Sequence, residues 1–287
     1  MKTKIVIDSR FSNTTISELN EYFNLGKEKI KSINYYIDDE LVPLNYRLEK
    51  GTTLVAEYDV INKILPKKGK IDILYEDESL LIVDKPANLL VHDDGNDQDN
   101  LASFVANYYL ETKQDNIVSY LGRLDYETTG IVVFTKDVFT TSFLNHLVEL
   151  NLLHREYEAL CINNFKEDKG VIDKAIGRDR HNAKKMRISI TGKKAVTIYE
   201  VVKKNNKYAH VNLTLKTGRT HQIRLHLASM NCNIIGDTLY NGPEEIGLML
   251  NSHKIKIFSP IPGKTIEVEA NNLTFNKVKR KLFKEMS

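Results

Sequence analysis

The sequence predicts an α+β fold: a mixed, mostly antiparallel central sheet with flanking helices around a cleft, preceded by a small α/β N-terminal domain. Three observations carry this. Apolar and polar residues alternate in several short runs, and two pairs of runs are joined by hairpin-length turns at Asn205-Asn206 and at Pro260-Ile261-Pro262-Gly263. Between the runs lie segments with apolar residues at helical spacing, Leu101 to Leu110 and Val138 to Leu150. A short helix-helix-strand succession ends before Pro66 and the cluster Lys67-Lys68-Gly69-Lys70. The expected domains are therefore 1–65 and 66–287, with a linker over 61–70.

Taken in order, Ile5 and Ile7 mark a short strand. Thr14 to Phe23 has a Ser/Thr start, an acid in its first turn and helical apolar spacing. A second helix is expected from Lys27 to Asn34, a strand and turn over Tyr35 to Val42, then strands Leu44–Leu48 and Gly51–Tyr58. Ile71 to Pro86 holds two strands around an acidic turn. Pro86 ends the second, because proline cannot donate to a ladder and keeps the residue before it extended. Leu89 to His92 resumes the extended chain, and Asp93 to Asn100 is a polar loop. Asn100 is a good N-cap for the helix that follows.

In the helix over 138–150, Phe139, Phe143, Leu144, Leu147 and Leu150 form one apolar face, suited to packing on the sheet. Arg155 to Ile162 alternates as a half-buried strand with Tyr157, Ala159 and Cys161 to one side. Val196–Val202 and Tyr208–Leu215 make a hairpin. Gly218 opens a turn into a helix running to Ala228, and Lys254–Phe258 pairs with Thr265–Val268.

No stretch approaches the roughly 18 uninterrupted apolar residues of a spanning helix, and the N-terminus lacks the apolar run of a signal peptide. The two cysteines, Cys161 and Cys232, are far apart and match no metal spacing, which suits a reducing cytoplasm. There is no H-E-x-x-H pattern, and His221 and His226 are five apart, so a metal enzyme is not expected. The net charge of +3 says little about partners; its distribution says more. Arg178 to Arg187 is strongly basic, with Arg180, Lys184 and Lys185 inside it, and so is the tail Lys277 to Lys284. Either run alone is more often a solvated face than a binding site. Both, beside a cleft that contains an acid, point to RNA.

The chain is organised around Leu121-Gly122-Arg123-Leu124-Asp125-Tyr126-Glu127-Thr128-Thr129-Gly130, followed by the apolar run Ile131 to Phe134. An acid ahead of a turn that feeds a buried strand can be held rigidly in a cleft. An isolated R-x-D is usually a surface salt bridge, since charged residues are mostly exposed. Its company reverses that reading. Asp84-Lys85-Pro86-Ala87-Asn88-Leu89-Leu90-Val91-His92 precedes it. Arg155-Glu156-Tyr157-Glu158-Ala159-Leu160, Thr217-Gly218-Arg219-Thr220-His221-Gln222-Ile223-Arg224-Leu225-His226-Leu227-Ala228 and Ile235-Gly236-Asp237-Thr238-Leu239-Tyr240 follow in order. Over roughly 71–270 the chain resembles the RluA family of RNA pseudouridine synthases, with Gly122 where that family often has His and Asn88 where Gly is usual. Residues 1–65 resemble the small RNA-binding domain of the ribosomal-protein-S-four type, although cations and acids are nearly balanced there.

The resemblance implies an isomerase that converts uridine in RNA to pseudouridine in an active-site cleft, without metal or cofactor. It implies Asp125 as the nucleophile or base at the ribose–uracil junction, Tyr157 stacked on the target base and placed to take its carbon-bound proton, and Arg224 paired with the catalytic carboxylate. Arg123 would fill the gap left by the flipped base, an unstacking that costs a few kcal/mol. Arg180, Lys184, Lys185, Arg219, His221 and Gln222 are the expected RNA contacts; His221, Gln222 and His226 are read as ordering the site, and Lys85 as structural or a phosphate contact. The expected partner is ribosomal or transfer RNA, for a monomer in the cytoplasm. Two other classes compete. An RNA-binding protein without turnover would have lost Asp125 or Tyr157, and a glycoside hydrolase needs two acids flanking one bond, for which only Glu127 stands nearby.

Overall fold

A computed structural model describes residues 1–59, 64–96 and 98–284. The first unit holds β1 (Lys2–Val6), β2 (Ile33–Ile37), β3 (Glu40–Leu41) and β4 (Thr53–Tyr58), in the order β1-β4-β2-β3, with helices α1 (Ile16–Tyr22) and α2 (Lys27–Lys31). At the start of α1 the Thr15 hydroxyl accepts from the Glu18 amide while the Glu18 carboxylate accepts from the Thr15 amide. Asp38 and Asp39, both left-handed at φ 50° and 65°, turn β2 into β3. Two expectations shift. α2 stops before Ser32 because Ile33 is drawn into β2 opposite Tyr58, where its side chain is buried. Leu44–Leu48 forms no strand. The carbonyls of Tyr46 and Leu44 instead accept from the amides of Ile16 and Ser17, which the first turn of α1 leaves without helical partners.

The large sheet is built from β5 (Asp72–Glu76), β6 (Leu80–Lys85), β7 (Ser119–Tyr120), β8 (Thr129–Thr135), β9 (His154–Ile162) and β10 (Lys169–Asp173). A two-stranded ribbon of β11 (Ile176–Arg178) and β12 (Met186–Ile188) follows, and then the sheet continues with β13 (Val196–Lys204), β14 (Tyr208–Leu215), β15 (Leu250–Ser259) and β16 (Lys264–Glu269). Its path is β10-β13-β14-β9-β15-β8-β6-β5, with β16 added to β15 and β7 to β8. Pairing is antiparallel except at the seam of β8 and β15, where Thr129 and Gly130 face Asn251 and Ser252 in parallel. This is the mixed, mostly antiparallel sheet that the sequence predicts. Gly130, at φ +105°, lies against β15 so closely that a Cβ would stand 2.2 Å from the Ser252 carbonyl oxygen. The seam is also tied by polar groups: the Asn251 amide donates to Glu158 (3.0 Å) and its oxygen accepts from Thr129 (3.0 Å).

Four helices flank the sheet: α3 (Leu101–Glu111), α4 (Val138–Glu149), α5 (Gln222–Ala228) and α6 (Leu273–Phe283). Asn100 caps α3 by accepting from the Ser103 amide. The face expected on α4 is divided. Phe139 enters the apolar core of the first unit, edge-on to Phe23 at 5.3 Å, Leu144 packs on the large sheet, and Leu150, just past the helix end, is 53% exposed. The basic tail belongs to α6, which buries Phe275 and Val278 and turns its lysines outward. Leu89–His92 contributes one bridge, Leu90 to Asn100, rather than a strand. Of the expected linker, 61–63 lie outside the described residues and 64–70 follow an irregular path. Among the described residues no helix is long and apolar enough to cross a membrane.

Candidate active site

The segment 121–130 runs from the end of β7 to the start of β8, fastened by its backbone. Leu121 donates to Val133 (2.8 Å), Thr128 donates to the carbonyl of Asp125 (3.1 Å), and Leu89 donates to that of Tyr126 (3.3 Å). Lys85, at the end of β6, is wholly buried beneath it. Its ammonium donates to the carbonyls of Pro86 (2.8 Å), Leu89 (2.8 Å) and Tyr126 (3.1 Å), joining the turn after β6 to the turn after Asp125. Burial pushes the Lys85 pKa down to about 8 against the opposing pull of the Asp125 and Asp84 carboxylates. Lys85 is a clamp and touches no solvent.

Asp125 is half-buried and lines a cavity of about 980 Å³ together with Arg123, Arg155, Tyr157, Arg219 and His221. Tyr157 comes from the middle of β9, flanked by Leu213 of β14 and Ser252 of β15, and is 6% exposed, so its ring is set by the sheet. A second cavity of about 820 Å³ also includes Asp125 and His221 and extends to Lys184, Lys185, Glu127 and Arg224. Lys184 and Lys185 follow Asp179, whose carboxylate accepts from the amides of His181 and Asn182 and so folds the loop between β11 and β12. Arg180, on the same loop, is exposed and lines neither cavity.

Two expected contacts are otherwise engaged. Gln222 is 2% exposed, and its amide is fully used: it donates to Val196 and Thr197 and accepts from Thr217 and Arg219. It therefore shapes the 217–222 loop and does not reach the cleft. Arg224 is 2% exposed and binds Asp237 in a two-point fork, at 2.9 and 2.7 Å, with Glu127 at 2.9 Å. Its direct partners are thus Asp237 and Glu127 rather than Asp125, which it reaches through space. The 236–240 turn brings Asp237 to the guanidinium ahead of any residue of the 121–130 loop but Glu127. Burial opposes the charge on Arg224, and the Asp237 hydrogen bonds and charge more than offset this, holding its pKa above the ordinary value.

His221 caps α5 in a left-handed conformation (φ 55°), with Nδ1 3.0 Å from the Tyr240 hydroxyl. Burial holds its pKa below the usual histidine value, outweighing the Asp125 charge, so the ring is neutral near pH 7. His226 is buried between the Thr197 hydroxyl (2.8 Å) and the Lys174 carbonyl (2.9 Å), as a residue that orders the site. Four positions went unassigned in the sequence. Asp237 and Tyr240 lie in the Gly236-Asp237-Thr238-Leu239-Tyr240 motif, which marks the place but not the role. Glu127 gives no signal beyond its charge. Arg155 heads the Arg155-Glu156-Tyr157 motif, which likewise marks the place but not the role; Gly122 leaves it room, since at φ +79° a Cβ there would meet the Arg155 Nη1 at 2.5 Å. Asn88 tolerates the same left-handed backbone, at φ 59°.

The family model described as RNA pseudouridylate synthase matches residues 79–229. RNA pseudouridine synthase YhcT of Bacillus subtilis is 34% identical over 241 residues, covering 82% of this chain and 80% of that protein. The chain belongs to the RluA family of RNA pseudouridine synthases. Ribosomal large subunit pseudouridine synthase D of Escherichia coli K12 is 33% identical over 188 residues, which span 65% of this synthase and 57% of that one. Among solved structures, human RNA pseudouridylate synthase domain containing 4 superposes with a TM-score of 0.62 over 74% of this chain and 93% of that one; at 23% identity it shares the fold. The synthase is accordingly an isomerase whose substrate is RNA.

Proposed function

We propose that this synthase isomerises uridine in large-subunit ribosomal RNA, with Asp125 as the reacting carboxylate. The observation that carries the reading is that Asp125 and Tyr157 open onto one cavity with Arg123, Arg155 and Arg219, none of which has an acidic partner among the described residues. A carboxylate next to the sugar, a ring for the base and cations held in no ion pair, free to meet phosphate, are the parts the reaction needs. The bond from the ribose C1′ to N1 of uracil breaks, the base turns, and C1′ bonds to C5. N1 gains a proton and C5 loses one, so atoms balance with no oxidant or reductant.

In this scheme Asp125 acts at the ribose, by attack on C1′ or by removing a ribose proton. Tyr157 stacks on the uracil, and its hydroxyl takes the proton from C5. Arg123 occupies the gap left by the flipped nucleotide, while Arg219, His221, Lys184 and Lys185 hold the strand. Arg224 acts on Asp125 by its field alone. We read 1–65 as an RNA-binding domain of the ribosomal-protein-S-four type that presents the RNA to the catalytic domain 66–287, in a cytoplasmic monomer. The ribosomal target is supported by the likeness to the ribosomal large subunit synthase of Escherichia coli.

Tritium release from RNA labelled at uridine C5 tests the assignment. Asp125→Asn removes a charge and almost no volume, so turnover falls by at least about 10²–10⁴-fold while RNA affinity stays within a few-fold of wild type. Turnover within about tenfold of wild type would sink the role of Asp125. Pseudouridine mapping of cells with and without the gene tests the target: a loss confined to transfer RNA overturns the ribosomal reading.

A further inference from the structure

Tyr126 is placed unlike any other aromatic residue of the site. Tyr157 is 6% exposed, whereas Tyr126, next to Asp125, is 47% exposed and lines both cavities. Its backbone cannot withdraw the ring, because its carbonyl accepts from both the Lys85 ammonium and the Leu89 amide and the Thr128 amide closes the turn behind it. Among the described residues no ring, cation or hydrogen-bond partner meets the side chain. A lone exposed apolar residue is ordinary on a protein surface. A half-exposed ring on a clamped backbone in the wall of an RNA cleft, one residue from the reacting carboxylate, is a platform open to a base.

We propose that the Tyr126 ring stacks on an unpaired base flanking the target uridine, and that this contact helps set which RNA contexts the enzyme accepts. The proposal rests on the reading of Asp125 as the reacting group. Tyr157 takes the flipped base itself, and Tyr126 takes its neighbour at the mouth of the cleft. Stacking on an aromatic side chain tolerates any base, so the contact selects for an unpaired neighbour rather than for its identity.

The test uses the full chain and whichever unmodified transcript, large-subunit ribosomal RNA or transfer RNA, the wild type converts. A wrong target shows in the choice of transcript, and a wrong Asp125 assignment in Asp125→Asn, so neither is confused with failure of the stack. Tyr126→Ala raises KM and weakens RNA binding by about 5- to 150-fold, the range for one base–aromatic stack, with a smaller change in kcat. Tyr126→Phe keeps the ring and stays close to wild type, and Tyr126→Leu falls near Ala. The chain has no tryptophan, so Tyr126→Trp introduces a single reporter whose emission is quenched when RNA binds. The proposal is overturned if Ala binds RNA as wild type does, if Leu matches Phe, if Phe fails like Ala, or if the Trp emission ignores RNA.

Discussion

The two sides of the segment Thr217–Ala228 carry similar residues with opposite fates. On the inner side Gln222, Arg224 and His226 are each at most 2% exposed; hydrogen bonds use up the polar groups of Gln222 and His226, and Asp237 and Glu127 hold Nε and Nη2 of Arg224. On the rim Arg219 spends its Nε on the Lys194 carbonyl and turns the rest of its guanidinium to the cleft, and His221 holds Tyr240 by one ring nitrogen. Residue type inside a motif does not separate scaffold from contact. Saturation does: a buried polar group must be paired with protein, and only one left open can meet RNA.

The sharpest break in this comparison is at Arg224, one guanidinium with a buried partner and a rim partner. Asp237 is 1% exposed and depends on the fork from Arg224, whereas the side chain of Glu127 is 40% exposed. Arg224→Met strands Asp237 and should destabilise the fold by about 3–5 kcal/mol. Glu127→Gln should cost less than about 1 kcal/mol. Urea unfolding of the two variants decides it. Equal losses would mean that the buried side of the segment is no more committed than its rim.

Lys85 extends the comparison to the loop of Asp125, through pH. Its folded pKa of about 8 lies below the ordinary lysine value. Below about pH 8 the ammonium has three protons for three carbonyls; as pH rises through 8 it keeps two, so one anchor is released and the positive charge under Asp125 disappears. The rate should then fall by up to tenfold per pH unit above about 8. Stability should move the other way. Between about pH 8 and 10.5 the unfolded chain binds more protons at this site than the folded one, so raising pH favours the fold there. A rate that is flat from about pH 7.5 to 9.5 would show that the clamp does not govern the Asp125 loop.

Much of this was legible because local chemistry and tertiary fold agree. Asn100 caps α3, Asn205-Asn206 turns β13 into β14, and Lys254–Phe258 pairs with Thr265–Val268 as alternation and turn residues predict. The failures have a common cause, which is a demand made from elsewhere in the fold. Leu44–Leu48 has strand-like residues, yet its carbonyls serve α1. The basic tail does face its lysines outward, as its charge predicts, but the helix that carries them is fixed by only two buried residues, Phe275 and Val278, too few to read as an apolar stripe. At the site, motif order brings Asp125, Tyr157, Arg219 and His221 to one cavity. The choice of Asp237 over Asp125 by Arg224 is a matter of side-chain geometry that spacing does not encode.

The smallest effect separates three cations that the sequence treats alike. Arg180, Lys184 and Lys185 lie on one loop of the β11–β12 ribbon. Only the two lysines line the cavity that holds Asp125, and Lys185 is further placed by the Tyr240 ring, 6.0 Å from its ammonium. A cation that meets a phosphate releases counterions, so removing it flattens the dependence of log affinity on log salt by about 0.7–0.9. A cation that only faces solvent leaves that slope alone. Lys184→Gln and Lys185→Gln should therefore each lower the slope by about that amount, with a several-fold loss of affinity at low salt, and Arg180→Gln should leave the slope within error of wild type. Filter binding of unmodified large-subunit ribosomal RNA across a salt series reads all three. If Arg180→Gln flattens the slope as much as either lysine variant, the RNA follows the whole ribbon, and exposure along that loop says nothing about contact.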